Sequence, residues 1–295
     1  MRNRLLAMAT FATVSALTSA ALPAFAADYP VLRGTTSPSL PPPPQLQDDP
    51  APWDGFYFGG LAGYNAVAFN PGNSAASMVR NGPLFRNTYY EAQGASGNLQ
   101  IPAYSARGSS FGGFAGYNMQ VGEVVVGLEA DYMRIGRTGS AVGGDIGRRF
   151  VNTDQSQRAN VTLSGTSSAR LDDLVTLRAR AGYVMGSFMP FVTGGLAIGF
   201  GQTSTTSRAD VGLQDSVGGA GTGVWAAEVA AVGSPETLTN ARKNAFMGGI
   251  TVGGGMEAMF GGLIVRGEYL FTRLASQGGV AIDVNQARVG AGVKF

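Results

Sequence analysis

From Trp53 onward the chain repeats one pattern, in which apolar residues alternate with polar or small ones at a period of two. That period belongs to a strand whose two faces meet different surroundings. Eight segments carry it: WDGFYFGGLAGYN (53–65), SFGGFAGYNMQ (110–120), EVVVGLEADYMR (123–134), RLDDLVTLRARAGYVM (170–185), FMPFVTGGLAIGFG (188–201), AFMGGITVGGGMEAM (245–259), LIVRGEYLFTRL (263–274) and DVNQARVGAGVKF (283–295). The second and third, fourth and fifth, and sixth and seventh are separated by two or three residues containing glycine, a spacing suited to hairpins. The stretches 69–109, 135–169 and 202–244 are long and polar, and only 275–282 is short among that second set. Several such loops would count against a compact soluble domain. Short turns at one end and long loops at the other are instead the layout of an outer-membrane barrel. The pattern predicts an all-β, eight-stranded, antiparallel up-and-down transmembrane β-barrel with short periplasmic turns and long extracellular loops.

The two faces differ in the way a bilayer requires. One carries Val124, Val126, Leu128 and Ala130, then Val175, Leu177 and Ala179, with matching runs on the later strands. Aromatic residues on this face gather near the strand ends. Phe56, Tyr117, Tyr183, Phe188 and Phe295 fall near the periplasmic boundary; Tyr64, Phe111, Tyr132, Phe200, Phe246, Tyr269 and Phe271 fall near the outer one. Two belts are what amphipathic rings at membrane interfaces produce. Lipid also forbids open sheet edges, so the last strand is expected to pair with the first.

The opposite face holds most of the charge within the strands: Glu129, Asp131, Arg178, Arg180, Glu257, Arg266, Glu268, Arg288 and, near the end, Lys294. A lone charge buried there would be very unfavourable, whereas interleaved opposite charges can coexist. Adjacency places Glu129 and Asp131 beside the strand of Arg178 and Arg180, and Glu257 and Glu268 near Arg266 and Arg288. An eight-stranded interior is just wide enough for its own side chains. The expected lumen is therefore charge-paired and plugged, with little or no solute conduction. A small porin-like ion path along the arginines is the alternative.

The first 26 residues have a basic start, an apolar middle and small residues at Ala24 and Ala26, the three-part layout of a secretory signal peptide. Residues 27–52 contain the run Pro41 to Pro44 and read as an extended, proline-rich periplasmic leader. The barrel is assigned 53–295. The chain has 21 basic and 19 acidic residues; without Arg2 and Arg4 the balance is 19 to 19. Nothing in that balance points to nucleic acid, which calls for a basic patch or stripe.

The chain contains no cysteine and no histidine. Disulfides, thiolate metal sites, histidine-ligated zinc and Ser-His-Asp or Cys-His catalysis are thereby excluded. A Ser/Lys or paired-carboxylate site stays open in principle, but Asp172 and Asp173 read more economically as a solvated strand end and Glu129 and Asp131 as lumen charges, so no catalytic residue, cofactor site or metal site is assigned and no enzyme is expected. The glycine clusters GGITVGGGM and VGGAGTG lead into no helix that could hold a phosphate. In the third long stretch, Ser234 and Pro235 fit the start of a short helix.

The segments WDGFYFGGLAGYN, GGFAGYNMQVGEVVVGLEADY, LRARAGYVMGSFMPFVTGGLAIG, VRGEYLF and ARVGAGVKF resemble the porin-like, eight-stranded outer-membrane immunogenic protein and surface-antigen family of Gram-negative bacteria. The resemblance covers most strands and the proline-rich leader, but not the three long loops. It implies an outer-membrane location and a structural or surface-antigen role. The terminal aromatic strand is similar to the signal read by the barrel-assembly machinery. Outer-membrane lipid is the other implied partner, and the loops suit cell-wall or host-surface ligands. Haem binding, described for some members, would here need tyrosine or methionine as axial ligand, since histidine is absent; Tyr89, Tyr90 and Tyr104 lie in the first long stretch.

Overall fold

The computed structural model describes residues 53–144, 147–277 and 279–295. The signal peptide and leader expected at 1–26 and 27–52 lie outside them. Among the described residues ten strands form: β1 (Gly55–Asn70), β2 (Tyr104–Val121), β3 (Val124–Gly144), β4 (Arg148–Val151), β5 (Gln157–Tyr183), β6 (Phe188–Asp215), β7 (Val229–Ala230), β8 (Glu236–Phe260), β9 (Leu263–Gln277) and β10 (Val280–Lys294). Two of them, β4 and β7, are short additions that pair only with β5 and β6. The other eight close a ring in the order β1, β2, β3, β5, β6, β8, β9, β10, every pairing antiparallel.

Closure runs from Tyr57 opposite Lys294 to Asn70 opposite Ala281. The Phe295 amide donates to the Phe56 carbonyl at 2.9 Å, and its ring stacks on Phe58 with centroids 5.5 Å apart. The three tight turns lie at this same end. Each places a glycine where a two-residue hairpin needs positive φ: Gly122 at 62°, Gly186 at 64° and Gly261 at 63°.

Alternation holds along the membrane-crossing part of every barrel strand. The apolar set from Val124 to Val293 faces outward and most of it lies exposed, as do Phe56, Tyr117, Tyr183, Phe188 and Phe295 at one end and Tyr64, Phe111, Tyr132, Phe200, Phe246 and Tyr269 at the other; Val175, Ile198 and Phe271 share the outward face but are half-buried. Phe58 and Phe260 join the lower ring.

The three long stretches differ from the expectation of loops. Most of 135–169 and 202–244 is strand, since β3 continues to Gly144, β5 starts at Gln157, β6 runs to Asp215 and β8 starts at Glu236. A membrane crossing takes roughly 9–11 residues, so the 27 residues of β5 and the 28 of β6 project well beyond it. Their outer halves are rich in Ser and Thr. Polar as they read, they keep the period of two: Leu163, Gly165, Ser167 and Ala169 on β5, and Thr203, Thr205, Ser207 and Ala209 on β6, are buried. Threonine fits a pleated, half-buried surface, and pairing with neighbouring strands satisfies the backbone.

This projecting wall of β3, β5, β6 and β8 is covered on its inner side by the 71–103 segment. There α1 (Ser74–Asn81), α2 (Tyr89–Ala92) and a 3-10 turn (Ala95–Asn98) form a cap. Its Val79, Leu84, Phe85, Tyr90, Leu99 and Ile101 bury against Val161 and Leu163 of β5 and Val211 of β6. Thr88 starts α2 by accepting from the Glu91 amide. Glu91 in turn accepts from the Ser96 amide and hydroxyl, at 3.0 and 2.7 Å. Gly82 passes so close to Glu236 that an added Cβ would sit 2.9 Å from its carboxylate, which also accepts the Leu84 amide at 3.3 Å.

No helix forms at Ser234–Pro235, contrary to the sequence reading. The Ser234 hydroxyl instead accepts the Val211 amide at 2.8 Å and donates to Asp210 at 2.9 Å, pinning the connection to β6 before β8 begins at Glu236.

Candidate functional site

The inward positions of the barrel divide into layers along its axis. Nearest the tight turns are Trp53, Val125, Val184, Met189, Met259 and Ile264, all buried. Above them come the eight charged residues expected in the lumen. Above those lie Met133, Leu171, Leu174, Met247, Leu274, Ile282 and Val284, also buried. Two apolar layers thus enclose one ionic layer.

The ionic layer contains Glu129, Asp131, Glu257 and Glu268 against Arg178, Arg180, Arg266 and Arg288, every one no more than 6% exposed. Formal charge cancels. Register explains the neighbour pairs: Glu129 stands opposite Arg178 across β3 and β5, Arg266 opposite Glu257 across β8 and β9, and Arg288 opposite Glu268 across β9 and β10. Further contacts reach beyond adjacent strands. Arg288 reaches Asp131 at 3.0 Å, Arg180 reaches Glu257 at 2.8 Å, and Arg178 reaches Glu268 at 3.1 Å. Glu129 lies at the centre, ion-paired to Arg178, Arg180 and Arg266. Lys294, the ninth inward charge, is half-buried at the rim and pairs with no acid among the described residues.

Sequence reasoning missed the uncharged members. Tyr57 donates from its hydroxyl to Glu129 at 2.9 Å and accepts from Arg180 at 3.0 Å. Thr176 donates to Asp131 at 2.7 Å. The Arg266 guanidinium lies 3.6 Å from the centroid of the Phe114 ring, and that of Arg180 lies 4.4 Å from the centroid of Phe191. The aromatic faces cover cation surface that water would otherwise hydrate. The signal was present, because Tyr57, Phe114, Thr176 and Phe191 all occupy the inward parity. Attention to formal charge passed over them.

Glycine lets these large side chains fit. At Gly116 an added Cβ would collide with the Tyr57 hydroxyl, and at Gly59 with the Phe114 ring and the β10 backbone. Inward glycines on β1 and β2 therefore make the room that Tyr57, Phe114 and the arginines fill.

The tyrosines considered for haem lie elsewhere. Tyr90 is buried in the cap, its hydroxyl donating to the Leu84 carbonyl, and Tyr89 packs edge-on against it at 5.4 Å. Tyr104 stacks on Phe69 at 5.2 Å and lies within hydrogen-bond distance of the Ser167 hydroxyl. All three serve the packing of the cap or of the wall beneath it. Among the described residues no group of three or more acidic side chains is gathered as a metal site. The strand-end acids Asp172 and Asp173 are ion-paired to Arg170 and Arg134.

No protein-family model matches the chain. It is similar to the 22 kDa outer membrane protein of Rhizobium leguminosarum bv. viciae, with 27% identity over 254 residues covering 82% of this chain and 78% of the relative. Among solved structures it is similar to Neisserial surface protein A, with 12% identity, 81% of this chain and 97% of that one covered, and a TM-score of 0.35. It is also similar to the attachment invasion locus protein Ail of Yersinia pestis, with 10% identity, 82% and 99% covered, and a TM-score of 0.30. The N-terminal β-barrel domain of Pseudomonas aeruginosa OprF matches with 11% identity, 80% and 97% covered, and a TM-score of 0.30.

Proposed function

We propose that this chain, an eight-stranded outer-membrane β-barrel protein, is a sealed membrane anchor that displays an extracellular wall and cap at the cell surface and conducts little or no solute. An apolar outer face and the likeness to an outer-membrane protein put the cylinder in the outer membrane. One observation carries the rest. The ionic layer is saturated with its own counter-charges and lies between two apolar layers, with no uncompensated charge to attract an ion.

A conducting ion would have to displace at least one buried pair, and separating such a pair costs about 3–5 kcal/mol. It would then have to cross the layers of Met, Leu, Ile and Val side chains, a constriction that excludes water. The cap adds a further apolar closure over the wall. Chemistry on a substrate is no part of this reading, because the lumen acids are consumed by arginines and the chain has no histidine or cysteine to activate a nucleophile.

Planar-bilayer recording of the purified, folded chain tests the proposal. Absence of stable unitary currents is expected. Large, long-lived open currents would favour the small-porin alternative.

A further inference from the structure

We propose that the outward-facing basic cluster Arg170, Arg242 and Lys243, at the outer rim of the membrane-embedded barrel, holds the phosphate of an anionic outer-leaflet lipid. The inference is independent of whether the lumen conducts.

Four features converge there. The regular register breaks at one level on successive strand pairs: between Arg134 and Arg137 on β3, between Leu171 and Asp173 on β5, and between Gly201 and Thr203 on β6 opposite Ala245 and Arg242 on β8. A bulge adds a residue to one strand and re-aims its side chains. On β8 the effect is plain, since Ala241, Arg242, Lys243 and Asn244 are consecutively exposed where alternation would turn every second one inward.

Secondly, the bulges shape two adjoining hollows on the outer face, of about 320 and 370 Å³, which share Arg170 and Gln202. The first is lined by Arg170, Arg242 and Lys243 together with the hydroxyl-bearing Thr138, Ser168 and Ser204. Cations beside hydroxyl donors are the chemistry of phosphate recognition.

The third feature is charge balance. Arg170 is paired to Asp172 and Arg134 to Asp173, whereas Arg242 and Lys243 pair with no acid among the described residues. Two uncompensated cations therefore sit at one hollow.

Position is the fourth. Immediately below, Phe200 and Phe246 meet edge to face at 5.8 Å in the outer aromatic belt. Beneath them the lipid-facing surface of β6 and β8 carries apolar side chains and glycine: Ile198 opposite Gly248, Leu196 opposite Ile250, Gly194 opposite Val252, Val192 opposite Gly254. A Cβ added at Gly248 would meet nothing within 4 Å, so this outward position lies open just under the aromatic pair. The cationic hollow thus stands directly above an apolar, lipid-facing surface, which suits a molecule with a phosphate head and acyl tails. A free anion would use only the upper part.

The test is native mass spectrometry of the full-length, detergent-folded chain titrated with phosphatidic acid, with diacylglycerol and inorganic phosphate as separate arms. The chain should retain phosphatidic acid in preference to diacylglycerol, and inorganic phosphate should not displace it. Arg242→Gln with Lys243→Gln should weaken phosphatidic acid binding about tenfold or more, taking about 1 kcal/mol for each cation near a membrane surface. Arg148→Gln, higher on the wall, should leave it unchanged. A circular dichroism spectrum matching the parent establishes that the double variant is folded. In the parent, added salt should weaken retention of phosphatidic acid more than that of diacylglycerol. Equal retention of the two lipids, or unaltered binding by the folded double variant, would overturn the proposal. Displacement by inorganic phosphate would overturn the assignment to a lipid. Self-association of the double variant with unchanged lipid binding would overturn it too, since the cations would then only be guarding the edge of β8 above Gly249, where its pairing with β9 stops.

Discussion

At the scale of single residues, Glu129 makes the largest claim on the lumen. It is buried, faces three arginines and accepts from Tyr57. Glu129→Gln would leave excess positive charge among Arg178, Arg180 and Arg266, and such a break costs about 3–5 kcal/mol. Urea unfolding of the variant in lipid vesicles should show a loss of that order. A loss within 0.5 kcal/mol, the ordinary range for an exposed position, would mean that water already screens the site. The identity of the eight charges was legible in the sequence because strand parity alone sends them inward. The pairs across the lumen were not, since adjacency orders neighbours only, and the contact of Arg288 with Asp131 or Arg180 with Glu257 depends on how tightly the ring closes.

The cap supplies a pH prediction at the same scale. Burial pushes the Tyr89 hydroxyl up from the ordinary value of 10 to about 12, and Tyr90 moves in the same direction for the same reason. Below pH 10 both residues are neutral whether the cap is packed or open, so their full contribution is present. Between about 10 and 12 the opened cap releases protons that the packed cap retains, so packing weakens as pH rises through that window. Ultraviolet titration of tyrosinate should show several late-ionising groups, one fewer in Tyr89→Phe and two fewer in Tyr89→Phe with Tyr90→Phe. An unchanged number in the double variant would contradict the burial of both hydroxyls in the cap.

Among the elements, the membrane crossings read clearly and the wall did not. Val, Leu and Ile on alternate positions announce a lipid-facing strand, whereas Thr162, Ser164 and Thr166 on β5 alternate with Leu163, Gly165 and Ser167 in a register that hydropathy scarcely marks. The contrast can be measured. Leu177→Arg places a cation on the lipid-facing side of β5, where the cost is about 2–4 kcal/mol at the midplane. Thr162→Arg, on the same strand and also outward, lies in the projecting wall and should cost less than about 0.5 kcal/mol. Equal penalties for the two in vesicle refolding would contradict the division of β5 into a lipid part and a water part. The cap was illegible for another reason. Its Phe85, Leu99 and Ile101 are apolar without strand or long-helix period, because each fills a place defined by β5 and β6. Phe85→Ala should cost about 3–5 kcal/mol of cap packing. Protease should then cut within residues 71–103 while the strands remain intact. Resistance equal to that of the parent would show that the cap does not depend on that ring.

For the whole molecule, the every-other-residue code has two consequences at once. It makes the outside of the cylinder apolar, and it gathers formally balanced charge inside between apolar layers. The absence of cysteine permits a direct test of whether that interior is closed. Single cysteines are placed at Ala197 in the lumen, at Ser187 in a tight turn and at Thr162 on the wall, and each is exposed in reconstituted vesicles to a water-soluble, membrane-impermeant maleimide from both sides. The account predicts rapid labelling at Ser187→Cys and Thr162→Cys, each from its own side, and protection at Ala197→Cys until the protein is unfolded. Rapid labelling of Ala197→Cys in the folded barrel would reveal a continuous water path and contradict the sealed lumen.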